Sequence, residues 1–197
     1  MIGDPTIEGS AAVLGFWFGV PDDPNYANPR PQWFGKAPAF DAEIGRRFRS
    51  LYEGAAVGIY DHWRADPHGC LALILVLDQF PRNMFRGTAR AFATDVQALA
   101  LARHAVEKGF DGRVPPSHRT FFYLPFEHSE DIGDQHRAVA LFEAVEHHPE
   151  REKGIDYAVR HRDVIARFGR FPHRNEILGR ASTPEEIAFL KLPDSRF

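Results

Sequence analysis

PHGCLALILVLDQF, residues 67–80, decides the fold. Pro67 suits the first turn of a helix, and the residues after it are apolar on every side, which a helix tolerates only when it is buried all round. The stretch therefore predicts a central helix over 67–80. The remaining periodic segments are read as helices packed around it. Val13, Leu14, Trp17 and Phe18 share one face of a helix over 8–18, and Phe40, Ile44, Phe48 and Leu51 share one face over 39–53, with a weaker Gly-interrupted helix reaching about Arg64. Thr94 with Gln97 reads as a capping box for a helix over 95–108 that Gly109 closes. Ser129 or Asp131 caps a helix running to His147, where Pro149 marks the break, and another covers 151–168 before Gly169. Thr183, Pro184 and Glu186 supply cap, first-turn proline and capping-box glutamate for a short terminal helix. FFYLPF at 121–126 holds a proline and has no partner strand, so no sheet is expected. The class is all-α, in one domain over 1–197, and the sequence shows no helical repeat of 30 to 45 residues.

Between the first two helices lies VPDDPNYANPRPQWFGKAP, whose prolines recur too often for a helix or a central strand. This Pro-rich loop at about 19–38 carries Trp33 and Phe34, read as exposed. Its length suits a lid.

Composition excludes several classes. The 197 residues carry a formal charge of -3, with 17 Phe and a single cysteine. No global positive field exists to draw nucleic acid, and the longest apolar run, residues 70–77, is too short to span a bilayer. Cys70 cannot form an internal disulfide and reads as a buried thiol; MIGDPTIEGS lacks the features of a secretion signal, so a reducing cytoplasm is expected. Neither a phosphate loop, nor a nucleophile elbow, nor a dinucleotide fingerprint is present, so no cofactor is expected. Without a paired-His helix motif or a cysteine ligand set, no metal is expected.

The chemistry gathers in three short motifs. FPRNMFRG at 80–87 returns as FPHRNEILGR at 171–180 with His173 inserted. Each proline is expected to end one helix, turn the chain sharply and present Arg and Asn at a helix start. Arg82, Asn83, Arg174 and Asn175 are thereby candidate holders of an anionic ligand, with Arg170 and Gln79 beside them. Asp78, in the last turn of the apolar helix, needs a guanidinium partner such as Arg82, Arg170 or Arg174. PFEHSEDIGDQH supplies Glu127 and His128, which follow an aromatic run and could exchange protons with a substrate; His173 joins them as a candidate catalytic group. His161 projects from the apolar face of its helix and reads either as a hydrogen-bonded core residue or as part of the site. The alternative to a site is that Phe and Pro pack, Arg pairs with an acid and Asn caps a turn.

With LDQFPRNMFRG, FFYLPFEHSED and RFGRFPHRN in view, the chain resembles the bacterial domain-of-unknown-function family nine-two-four, from GFWFG at 15–19 through the last motif. The resemblance implies tetratricopeptide-like helix hairpins stacked into a right-handed superhelix, and no activity. The motif residues it carries over are Asp78, Gln79, Arg82 and Asn83; Glu127, His128 and Ser129; Arg167, Arg170, His173, Arg174 and Asn175. Two functions follow: a pocket for a small anionic or carboxylate-bearing molecule, with acid–base chemistry, or a groove that binds a peptide. The gathering of polar residues favours the pocket, since a peptide groove spreads its contacts over successive repeats.

Overall fold

A computed structural model describes residues 5–26, 28–146, 148, 150–193 and 195. Among these residues there is no strand, and all regular structure is helical. The helices are α1 (Pro5–Phe18), α2 (Pro38–Ala56), α3 (Pro67–Ile74), α4 (Phe80–Met84), α5 (Asp95–Glu107), α6 (Pro116–Glu127), α7 (Ile132–Glu143), α8 (Arg151–Phe168) and α9 (Pro184–Phe189). None of the described helices is long and apolar enough to cross a membrane.

The all-apolar stretch is the core. Every residue from Cys70 to Leu77 is buried, and α1, α5 and α6 pack on α3, while α2 packs on α4. Trp17, Phe18, Phe80, Phe121 and Phe122 fill the space between them without contact with solvent. α5, α6, α7 and α8 then follow one another as packed neighbours. Asp66 caps α3, its carboxylate accepting from the amides of His68 and Gly69.

The first FP pair does not break the helix. Between α3 and α4 the chain makes one π-helical turn, Leu75–Gln79, and the Phe80 amide donates to the Leu75 carbonyl. The path stays helical through Pro81, because burial on all sides outweighs the local preference of a pre-proline residue. Pro81 has no amide to give the Leu77 carbonyl, and the Thr94 hydroxyl donates to it instead. That contact corrects the capping box expected at Thr94: its side chain caps nothing, and Gln97 donates to the Ala56 carbonyl. The second copy does turn. Gly169 closes α8 with φ +68°, Phe171 is extended, and Pro172 opens a 3-10 turn, Pro172–Arg174. The repeated words thus have different conformations.

Other expectations need correction. α7 ends at Glu143 rather than running on to His147; His147 and Pro149 themselves lie outside the described residues. FFYLPF belongs to α6, with Pro125 inside it. Trp33 is buried, its indole donating to the Trp17 carbonyl at 3.1 Å and its ring stacked on Trp17, so the Pro-rich loop is anchored where an exposed tryptophan was expected. Phe34 is exposed. Asp131 caps α7 and Thr183 with Glu186 forms the expected capping box of α9.

Candidate functional site

The π turn sets the site in place. A single wider turn rotates the residues after it relative to those before, and Asp78 and Gln79 lie in this one, with His128 at the end of α6 against Asp78 and, through Arg82, Asp95 at the start of α5. Asp78 is fully buried. Its Oδ1 accepts from His128 Nδ1 at 2.7 Å and lies 3.3 Å from Arg82 Nη1, and its Oδ2 accepts from Gln79 Nε2 at 2.6 Å. Arg82 also donates to both oxygens of Asp95 at 2.7 and 2.9 Å, a two-pronged grip of the kind a planar guanidinium makes. Arg174 comes in from the second FP corner. Its Nη1 donates to the His128 carbonyl at 3.1 Å and lies 3.6 Å from Asp95, and its guanidinium carbon sits 4.7 Å from the Phe92 ring and 4.4 Å from the Phe171 ring.

Two carboxylates, Asp78 and Asp95, therefore face two guanidiniums, Arg82 and Arg174. Burial alone would raise the Asp78 carboxyl, but Arg82 and His128 outweigh it and hold its pKa well below the carboxylate range. His128 is pushed below its ordinary value by burial and by Arg82, against the pull of Asp78. It is a neutral imidazole at pH 7. Because Asp78 is ionised, His128 Nδ1 carries the proton and Nε2 presents its lone pair. Arg174 falls to about 10 through burial and the neighbouring charge of Arg82, against the pull of Asp95, and is still cationic at neutral pH.

Glu127, one residue before His128, is buried with Oε1 3.3 Å from His161 Nδ1, which also meets the Tyr157 carbonyl at 2.8 Å. Burial, then the charge of Asp78, pushes the Glu127 carboxyl up to about 8. Burial is likewise the main cause that takes His161 down to about 3. Both are neutral at pH 7. Glu127 Oε2 and Arg174 Nε are buried and have no hydrogen-bond partner.

These groups line one cavity of about 530 Å³. Gln79, Arg82, Asn83, Glu127, His128, His161, His173 and Arg174 form its polar part; Trp33, Phe34, Phe92, Phe121, Leu124, Phe142, Tyr157 and Ile177 are among its apolar walls. A largely apolar hollow of this size with a few polar groups has the form of a small-molecule site. The three motifs thus converge, though not every candidate residue reaches the cavity. Asp78 stands behind His128 and Arg82. Arg170 is spent on Glu186 at 2.7 and 2.9 Å and on the Ala181 carbonyl, and Asn175 bonds Ser182 and Arg180, so both secure the chain leading into α9. Ser129 donates to Asp134, and Arg167 pairs with Glu185. Asn83 lines the cavity but also donates to Asp41 at 2.7 Å. Asp95 holds both arginines and is not legible as a site residue from sequence, where it reads only as a favourable first-turn acid.

The family described as "Bacterial protein of unknown function (DUF924)" matches residues 13–194. The chain belongs to that family. A solved structure adds weight to the fold: the protein of unknown function ATU0120 from Agrobacterium tumefaciens is 43% identical, with a TM-score of 0.85 over 94% of this chain and 98% of that one. No curated protein matches. DUF924 membership assigns no reaction, and the chemistry has to be argued from the cavity.

The buried carboxyl yields a prediction with a definite sign. Folded Glu127 keeps its proton to about pH 8, whereas an unfolded glutamate loses it near 4.5, so between those values the native state binds more protons and stability falls as pH rises. The depressed histidines, His118 at about 4, His161 at about 3, and His128 and His148, act in the opposite sense, an effect that dies away over about one unit above their unfolded value of 6.5. From pH 6.5 to 8 we expect a loss of up to about 2 kcal/mol from Glu127, at about 1.4 kcal/mol per pH unit. Both proteins share the histidine effect, so the stability of the parent from urea denaturation should fall relative to that of Glu127→Gln over this window; an equal slope in both would refute the assignment.

Proposed function

We propose that the cavity binds a small carboxylate-bearing molecule, with Arg174 as the principal holder and His128 as the group that exchanges a proton with it. The observation that carries this reading is Arg174: a buried guanidinium, its Nε without a partner, lining a hollow of ligand size. Leaving a buried N–H without an acceptor is costly, and an incoming carboxylate supplies that acceptor in a geometry that guanidinium matches. Asp78 is a positioning residue. It fixes the His128 tautomer so that Nε2 is available as a base, in the way an aspartate behind a histidine does in hydrolytic sites. His173 lines the same cavity and is a second candidate for proton transfer, and Gln79, Arg82, Asn83 and His161 complete the polar lining.

The reading of the whole chain as one tetratricopeptide-like right-handed superhelix is supported by the sequential packing of α5 to α8, and a cytoplasmic setting by the buried Cys70, whose thiol burial pushes up to about 12. A peptide-binding groove is less well supported, because the polar groups gather in one hollow instead of repeating along a face.

Thermal-shift measurement with a panel of small organic carboxylates tests the proposal. A ligand at 100 times its Kd is expected to add about 2.7 kcal/mol, a rise of roughly 5–10 °C for a chain of this size. Arg174→Lys keeps the charge but loses the fork, and is expected to lose most of that protection while remaining folded. Protection by peptides and by no carboxylate would overturn the reading.

A further inference from the structure

Arg174 and His128 leave one wall of the cavity without a role. Glu127 ends α6 as a buried carboxyl with Oε2 unbonded, although a buried polar atom left unpaired keeps the full penalty of its lost hydration. Beside it stands a second acceptor: His128 gives its Nδ1 proton to Asp78, so Nε2 carries a lone pair. The cavity thus has, on the α6 side, an unbonded carboxyl oxygen beside an imidazole lone pair and, on Arg174, a bare donor. A ligand with a carboxylate alone uses only the second of these.

We propose that Glu127 and His128 receive the ammonium group of the same ligand whose carboxylate Arg174 holds, so that the occupant is an amino acid or another primary amine bearing a carboxylate. The assignment deepens the carboxylate reading and rests on it. The aromatic walls accommodate an apolar body between the two charged ends. Other charged or titratable groups facing Glu127 are Asp78 from the π turn, which disfavours a second negative charge, and neutral His161 from α8. The Glu127 carboxyl therefore stays protonated until a cation arrives. Binding then exchanges one partner for another: the carboxyl O–H bond breaks, its proton goes to the buffer, and the carboxylate pairs with the ammonium. No other bond changes.

Isothermal titration calorimetry at pH 7, in phosphate and in Tris, reads both affinity and proton release. Two matched pairs bracket the separation of the charged ends: L-phenylalanine against 3-phenylpropanoate, and 6-aminohexanoate against hexanoate. In at least one pair the amine is expected to bind roughly tenfold or more tightly than its deaminated match, as a charged hydrogen bond would give. The difference in heat between buffers should correspond to about one proton released per ligand. Glu127→Gln, of nearly the same volume, is expected to abolish the preference and the proton release and to keep the affinity for the deaminated compound. Equal binding within both pairs, a preference without proton release, or a preference that survives Glu127→Gln overturns the ammonium site and leaves the carboxylate reading standing. If no carboxylate of either kind binds, both fall.

Discussion

Asp78→Ala is expected to lower the stability of the protein by about 3–5 kcal/mol, the range for removing one partner of a buried ion pair. For a chain of this size that is a fall in Tm of roughly 6–20 °C. The reason is charge balance rather than lost volume. Asp78 and Asp95 compensate Arg82 and Arg174 in a space largely closed to water, and deleting Asp78 leaves two guanidiniums sharing Asp95. It also leaves His128 Nδ1 and the Gln79 amide without their acceptor. A second substitution separates these causes. Arg82→Met in the Asp78→Ala background removes the excess positive charge while filling similar space, and is expected to recover part of the loss, because well-packed apolar residues replace buried ion pairs at little cost. Strict additivity of the two substitutions would mean that charge balance is not what the aspartate supplies. Since the folded pKa of Asp78 lies below its ordinary 3.8, its contribution is present above that pH and fades as the pH falls further. The gap between parent and Asp78→Ala is accordingly expected to be level from pH 5 to 7 and to narrow in acid, which urea denaturation at stepped pH would show.

The all-helical class was legible in residues 67–80 because no other element buries so many consecutive apolar side chains, and the caps at Asp131 and Thr183 were legible because their hydrogen bonds close within three residues. The failures come from contacts that are distant in sequence. Thr94 looks like a cap until Pro81 leaves the Leu77 carbonyl, 17 residues away, in need of a donor. Trp33 sits in a loop with no period, so nothing local announces that it stacks on Trp17. α6 was invisible because its apolar residues surround the helix and Pro125 interrupts it; periodicity has nothing to report in such a segment. At the site, the density of Arg, His and acid pointed to three motifs that share one cavity, yet pairing did not follow from density. Asp78 could have met any of three arginines, and it meets not only Arg82 but His128, 50 positions on. The two FP words show the limit of motif reading: identical letters make a helix interior where packing surrounds them and a corner where Gly169 precedes them.

Phe171→Ala carries the second large effect, about 3–5 kcal/mol for emptying a fully buried aromatic site. What distinguishes it from any other core phenylalanine is that its ring lies against the candidate site. Arg174 is 4.4 Å from the ring, His161 meets it edge-on with centroids 5.5 Å apart, and Val164 and Ile165 of α8 pack behind it. Its backbone is tied as well, the amide donating to Glu130 and the carbonyl accepting from Arg180, so the corner itself has supports that do not depend on the ring. Truncation is therefore expected to shift the urea midpoint with little change in slope, the mark of a weakened but still cooperative native state. Phe171→Leu sharpens the test. Leucine refills most of the volume and is expected to cost less, but it has no π face for the guanidinium, whose attraction to an aromatic ring is worth about 0.5–2 kcal/mol when shielded from water. If Arg174 is held in place for a carboxylate, Phe171→Leu should lose ligand protection out of proportion to its loss of stability. A variant that binds carboxylates as the parent does would show that Phe92, at 4.7 Å, and the His128 carbonyl suffice to aim Arg174, and would reduce Phe171 to packing alone.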